Sequence, residues 1–213
     1  MTLTLIIVAN RILCVGDYGR CERLSKNLTH MKKTESKRGF LTYTGLYKDK
    51  PISISCAGMG VPNTDLLIRE AREVITGPMV MARFGTCGVV DPTITPGNII
   101  IPTHSILIQQ NYDYDPKKDK PEDQFYISKE CAANVELHKL LVTTVGKEMD
   151  EKVVHKGGTM GTTETFYSGQ GRGLLLFVGR KLEKFNDSSE SLLKILKAKY
   201  PKHDSLEMEM YTL

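Results

Sequence analysis

ISISCAGMGVPNTDLLIREAREVI, residues Ile52–Ile75, is the stretch on which the fold turns. Ile52–Cys56 is a short run of strand length, Gly58 and Gly60 supply a turn, and Pro62 stands just ahead of a segment with helical periodicity. Over 63–75, Leu66, Leu67, Ala71, Val74 and Ile75 fall on one stripe, which predicts a helix with one face against a sheet. Comparable strand-type runs stand at Ile12–Val15, Ile99–Ile101 and Leu174–Val178. Further helix-period segments cover 131–149 and 188–199, the latter opening with Ser before Glu190. Strand runs of this kind suit strands covered on both faces. Their alternation with amphipathic helices predicts an α/β fold with a mostly parallel sheet.

The rest of the composition narrows the class. In 213 residues, 40% are apolar and 25% charged, close to the average for globular chains and far from disordered or collagen-like sequences. No repeat, low-complexity run or linker interrupts the chain, so a single domain over 1–213 is expected. Residues 111–123 (NYDYDPKKDKPED) read as an exposed loop. The net charge of +4 is small, and the basic stretches Lys32–Arg38 and Arg180–Lys202 are interrupted by acids. They read as solvated faces, and no nucleic-acid partner is expected. Cys14, Cys21, Cys56, Cys87 and Cys131 form neither a C-x-x-C pair nor a zinc-type cluster, which predicts free thiols, no bound metal and a cytoplasmic home. The apolar run Leu3–Ala9 is about half a membrane span and lacks the flanks of a signal peptide, so no membrane association is expected.

Four glycine-bearing segments could carry chemistry. VGDYGR (Val15–Arg20) places a glycine after a strand-type run, where free backbone N–H groups can meet an anion, and adds the donor fork of Arg20. An ordinary strand-to-helix turn with a surface arginine reads the same way. CAGMGVPN (Cys56–Asn63) resembles a dinucleotide fingerprint, but Asn63 occupies the place of its third glycine. In MARFGTCG (Met81–Gly88), Arg83 interrupts an apolar run and is costly to bury without an anionic partner, while Thr86 supplies a hydroxyl. TETFYSGQGR (Thr163–Arg172) offers the paired donor and acceptor of Gln170 with the donors of Arg172, a set that matches the acceptor–donor–acceptor edge of a pyrimidine dione. A polar loop of that composition is also commonplace. Near the end, Glu207-Met208-Glu209 reads as a helix start with its two carboxylates on nearly opposite faces and Met208 in the core.

Taken in order, these segments resemble the nucleoside phosphorylase superfamily of the uridine and bacterial-type purine enzymes. The residues that carry the resemblance are Gly16-Asp17 with Arg20, RGFLTYTG from Arg38, GMGVP from Gly58, RFGTCG from Arg83, FYSGQGR from Phe166 and EME from Glu207. FYSGQGR is similar to the uridine branch, and RGFLTYTG is closer to the purine branch. The resemblance implies a three-layer α/β/α fold with a central mixed, largely parallel sheet. It implies phosphate-dependent cleavage of uridine to uracil and ribose 1-phosphate, with a purine phosphorylase or nucleosidase, or an inactive nucleoside-binding paralogue, as alternatives.

On the same resemblance, phosphate is held by Gly16, Arg20, Arg38, Arg83 and Thr86, with Arg38 donated across a subunit contact in a homodimer or a hexamer of dimers. Met208 and Glu209 hold the ribose. Gly88, Phe166, Gln170 and Arg172 line the base pocket, and Arg83, Gln170 and Arg172 carry the catalysis. No cofactor is implied, since inorganic phosphate is a co-substrate. Gly39 follows Arg38 where many relatives carry a glutamate used for potassium, so no such ion is expected. The family's N-terminal ribose-contacting histidine has no match before Arg11, and the chain is expected to lack the family's last strand and helix.

Overall fold

The computed structural model describes residues 8–170 and 189–213, which fall into two compact units. The first runs to Thr86 and includes Thr212 and Leu213; the second is Cys87–Tyr211. Leu174–Val178, Arg172 and most of Leu3–Ala9 lie outside the described residues.

In the first unit, β1 (Arg11–Val15), β2 (Thr29–Glu35), β3 (Leu41–Tyr47), β4 (Lys50–Cys56) and β5 (Val80–Phe84) form one sheet in the order β2-β3-β4-β1-β5. β4, β1 and β5 are parallel, and β2 and β3 add antiparallel strands at one margin. Side chains alternate across a strand, and β1 uses both of its faces. Val15 packs with Cys21 of helix α1 (Tyr18–Ser25), whereas Ile12 and Cys14 pack with Ala71 and Leu67 of helix α2 (Val61–Val74). A helix therefore covers each face of the sheet, and this unit is an α/β/α sandwich.

The sequence ISISC is indeed buried on both faces, but not by apolar packing alone. Ser53 and Ser55 are as buried as Ile54. Their hydroxyls meet Thr44 Oγ1 at 2.7 Å and Thr42 Oγ1 at 3.0 Å, and Ser53 also accepts from the Ala9 N–H. Those bonds remove the desolvation cost of the buried hydroxyls. In α2 the stripe sits slightly away from the expected one. Thr64, Leu67 and Ala71 are buried, with Ile75 just past the end, while Val74 faces out at 50% exposure.

In the second unit, β6 (Gly88–Val89), β8 (His104–Gln110), β10 (Cys131–Ala132), β12 (Thr159–Thr163) and β13 (His203–Glu207) form a sheet in the order β10-β8-β12-β13-β6. β9 (Phe125–Ile127) also pairs with β8, and β7 (Ile99–Ile101) pairs with β11 (Val154–Lys156). β8, β12 and β13 are parallel at the centre, and the antiparallel strands lie at the margins. The α/β class thus holds, with mixed sheets whose parallel strands carry the core. Helix α4 (Ser189–Lys199) seats Leu192 and Leu196 against Ile106, Ile108, Phe125 and Leu206.

Two boundaries differ from the sequence expectation. The helix expected over 131–149 is α3 (Val135–Glu148), because Cys131 and Ala132 pair with β8 and the Asn134 side chain caps the helix by accepting the Leu137 N–H at 2.9 Å. Glu207-Met208-Glu209 does not start a helix. Glu207 ends a buried strand and the chain turns into a short 3-10 segment at Met210–Thr212. Parallel pairing with β12 overrides local helical preference there.

Two features of this unit give stability predictions. Gly158 has φ +83°, and an added Cβ would lie 1.9 Å from Asp204 Oδ2, a buried carboxylate. Gly158→Ala is expected to lose about 2–3 kcal/mol in urea unfolding, from the left-handed backbone and the clash together. An unchanged midpoint would mean that Asp204 yields at no cost.

His203 is 8% exposed and neither ring nitrogen makes a hydrogen bond of ordinary geometry. Burial lowers its pKa from 6.5 to about 4, with a smaller opposing pull from the Thr159 backbone. The unfolded chain therefore binds the proton first, so the contribution of His203 to stability is present above about pH 6.5 and is lost as the pH falls toward 4. Asp204, raised by burial to about 6, works with the opposite sign. The readout is therefore a difference: His203→Leu is expected to gain roughly 3 kcal/mol relative to the parent between pH 7 and pH 4. Parallel stability curves for the two proteins would contradict it.

Candidate functional site

The segments expected to hold an anion, around Gly16, Arg20 and Arg83, lie in the first unit. Val15 is in register with Cys56 on one side and Phe84 on the other, so three parallel strands end at one level. Their outgoing loops begin at Gly16, Ala57-Gly58 and Gly85. Crevices outside the carboxyl ends of parallel strands are where α/β sheets bind ligands. The Arg83 guanidinium occupies this edge: a Cβ on Gly16 would stand 3.6 Å from Nη2, and one on Gly85 3.3 Å from Cζ. Both glycines leave room for that side chain.

Arg20 reaches the same edge from α1. Asp17 caps the helix, accepting the Arg20 N–H at 2.7 Å, and its other carboxylate oxygen is 3.2 Å from Arg20 Nη2. Arg20 Nη1 donates to the Phe84 carbonyl at 3.2 Å, and the guanidinium lies 5.8 Å from the Phe84 ring centre. The fork is held in place by a cap, a carbonyl and a ring. Burial raises the Cys56 thiol; the Gly58 backbone opposes this, the Asp17 carboxylate adds to it, and Arg20 and Arg83 exert smaller lowering pulls.

Gly16, Arg20 and Arg83 are thus brought together at one edge of the sheet. Thr86 is exposed two residues beyond Phe84. Arg38 is not in this cluster: it sits in the turn between β2 and β3, is largely exposed, and makes a long 3.8 Å contact to Glu70. The turn is tied by Tyr18, whose hydroxyl donates to the Gly39 carbonyl.

The second unit assembles a polar group at the ends of β12 and β13, where Thr162 and Glu207 are register partners. Thr162 Oγ1 donates to Glu207 Oε1 at 2.5 Å, and Thr163 Oγ1 donates to the Glu207 carbonyl at 3.2 Å. Gln170 Nε2 donates to the same carbonyl at 3.3 Å. Gln170 is 6% exposed and Glu209 2%, so both are interior polar groups. Burial pushes the Glu207 carboxyl up to about 7, against the lowering effect of its hydrogen bonds to Thr162 and Met210. Phe166 packs edge-on to Tyr167, with ring centres 5.2 Å apart, and Met208 is half-buried. Gly88 pairs with Leu206 in the strand that leads to Glu207.

Gln170 and Glu209 are both buried polar residues, and the groups around them carried no signal in the sequence. Thr162 and Thr163 carry no motif, since hydroxyls in a strand usually mark nothing. Glu207 ends a strand, where helical spacing puts it on the face opposite Glu209. Asp17 and Phe84, which fix Arg20, were also unanticipated, although an Asp three residues before Arg20 is a cap signal. Arg172 lies outside the described residues.

The model of the phosphorylase superfamily matches residues 10–213. The chain belongs to the phosphorylase superfamily. A solved member from a structural and catalytic study of two uridine phosphorylases in the oomycete Phytophthora capsici is 34% identical with a TM-score of 0.83, over 96% of this chain and 73% of its own. The uridine phosphorylase of Thermococcus kodakarensis is 28% identical over 165 residues, 78% of this chain and 54% of its own. A DeoD-type purine nucleoside phosphorylase of Caldanaerobacter subterraneus is 30% identical over 163 residues, 75% of this chain and 64% of its own. The chain spans about half to two thirds of the length of these two superfamily relatives.

All five cysteines are free thiols. Among the described residues no three His, Cys, Asp or Glu side chains are placed to hold a metal ion, and no helix is long and apolar enough to cross a membrane.

Proposed function

We propose that this phosphorylase-superfamily chain cleaves uridine with phosphate, giving uracil and ribose 1-phosphate. Gln170 carries the choice of base: a buried amide, held at the Glu207 carbonyl, in a segment similar to the uridine branch. A buried amide of fixed orientation distinguishes a base that can pair with it from one that cannot, because a mismatch leaves polar groups unpaired.

In this reading Arg20 and Arg83, with Gly16 and Thr86, hold and orient phosphate, and the exposed Arg38 reaches the phosphate of a neighbouring copy in a homo-oligomer. Met208 and Glu209 hold the ribose, Glu209 accepting hydrogen bonds from its hydroxyls. Phe166, Gly88, Gln170 and Arg172 take the base. Residues 1–213 act as one functional domain, without a cofactor, and the free thiols fit a cytoplasmic setting.

The chemistry balances without another reactant. The C1′–N1 bond breaks with its electron pair leaving on uracil, a phosphate oxygen bonds C1′, and uracil then takes a proton from solvent. Orientation of the nucleophile by Arg20 and Arg83 is a proximity effect. Stabilisation of the charge that develops on uracil is electrostatic and falls to Gln170 and Arg172.

The test is an assay of the full-length protein with uridine, with and without phosphate. Uracil release that requires phosphate, with ribose 1-phosphate as the second product, supports the reading. Inosine turnover with inert uridine would move the chain to the purine reading that the Caldanaerobacter relative represents.

A further inference from the structure

The mechanism leaves unused a carboxylate of the second unit, that of Glu207, which gathers several donors. Glu207 Oε2 accepts the Glu209 N–H at 2.7 Å, and the Met210 N–H lies 2.9 Å from Oε1 and 3.0 Å from Oε2. The next amide along the chain is collected indirectly: the Tyr211 N–H donates to Thr162 Oγ1 at 2.8 Å, and that hydroxyl donates on to Glu207 Oε1. Three successive backbone N–H groups thus converge on a single carboxylate, two directly and one through a threonine. A turn leaving a strand has no ladder partner for these donors, so without the carboxylate they would be left unpaired near a buried strand.

The backbone of the same residue faces the base-recognition segment. The Glu207 carbonyl accepts from both Thr163 Oγ1 and Gln170 Nε2. Glu207 is therefore tied through its side chain to the turn that carries Met208 and Glu209, and through its main chain to Gln170.

We propose that Glu207 is a positioning residue for nucleoside binding, its carboxylate fixing the 208–211 turn so that Glu209 is presented to the sugar in register with Gln170. The proposal rests on the uridine reading for the identity of the ligand, but not for the structural role of the carboxylate.

Each of the three bonds to the carboxylate uses it as an acceptor. Protonation turns one oxygen into a donor and so disturbs the set. Among the described residues, the groups bonded to it are the Thr162 hydroxyl of β12 and the Glu209 and Met210 backbone N–H groups. β12, β6 and 168–170 bring no titratable side chain to it among the described residues, and Glu209 is a titratable neighbour that, after burial, raises its pKa. Burial places the titration near neutrality. The ordered turn is the ionised form, so the nucleoside KM should fall as the pH rises through about 7.

The test compares the full-length parent with Glu207→Gln, and adds Thr162→Val and Thr162→Ser in case the glutamine protein folds poorly. Glu207→Gln is expected to raise the uridine KM about tenfold and leave the phosphate KM within about twofold, since one acceptor becomes a donor. It should also flatten the dependence of uridine KM on pH between 6 and 8. Inorganic phosphate titrates in both proteins alike, so the difference between them is the readout. Thr162→Val should show a smaller rise in uridine KM, and Thr162→Ser should restore the parent value.

Amide exchange of residues 209–211 supplies a measure that needs no substrate. Protection should be high in the parent above neutral pH and lost in Glu207→Gln. Parent-like exchange and parent-like uridine KM in that variant would overturn the proposal, as would an equal rise in both KM values. A parent that leaves uridine intact while its 209–211 amides are protected, and lose protection in the variant, overturns the uridine reading and leaves the positioning role standing.

Discussion

Arg83→Met is expected to lower phosphate-dependent uridine cleavage about 10²–10³-fold, the scale seen when one preorganised donor to a developing charge is removed. The guanidinium lies between Gly16 and Gly85 at the ends of three parallel strands, and methionine fills much of that space without the charge. The loss should fall mainly on kcat/KM for phosphate. Arg83→Lys should recover little of it, because an ammonium lacks the planar fork that grips two oxygens. The check is steady-state kinetics with phosphate and uridine varied separately. An Arg83→Met protein with a parent-like phosphate KM and rate would remove Arg83 from the phosphate site.

Gln170→Leu is the second large effect. Leucine keeps the volume but removes a buried donor and acceptor together, and kcat/KM for uridine should fall by about 10²-fold or more. The Thr163 hydroxyl, shared between the Glu207 carbonyl at 3.2 Å and that of Thr165 at 3.1 Å, remains to serve the Glu207 carbonyl, so the strand end should survive the change. The phosphate KM should stay within about twofold, because no new contact is asked of phosphate. A substrate probe sharpens the reading: 3-methyluridine lacks the N–H that the Gln170 oxygen would accept. The parent should discriminate strongly against it, and the leucine variant should lose most of that preference. Equal discrimination in both proteins would place base selection elsewhere.

The two predictions draw on different degrees of legibility. Arg83 was visible because an arginine inside an apolar run needs a reason. Gln170 was visible through its place in FYSGQGR, and the structure adds that it is buried and held. Arg38 was legible only as a resemblance, and it stands exposed beside Glu70, apart from Gly16, Arg20 and Arg83. Glu207 shows where reading by pattern fails. Helical spacing set it on a face away from Glu209, but parallel pairing with β12 placed it at a strand end instead.

The amino-acid sequence by itself determined the α/β class, the strand–turn–helix unit at 52–75, the free thiols and the candidate residues of both polar groups. These follow from local rules, namely side-chain periodicity, glycine turns and the cost of burying charge. Only the tertiary structure decided which residues hold them. Cross-strand register, a long-range property, aligned Val15, Cys56 and Phe84 so that Gly16 and Arg83 meet, and aligned Thr162 with Glu207 across 45 residues of chain. The boundary has a physical reason. A hydroxyl or carboxylate looks alike in sequence whether it meets solvent or gathers three backbone amides, and burial by distant strands is what distinguishes the two.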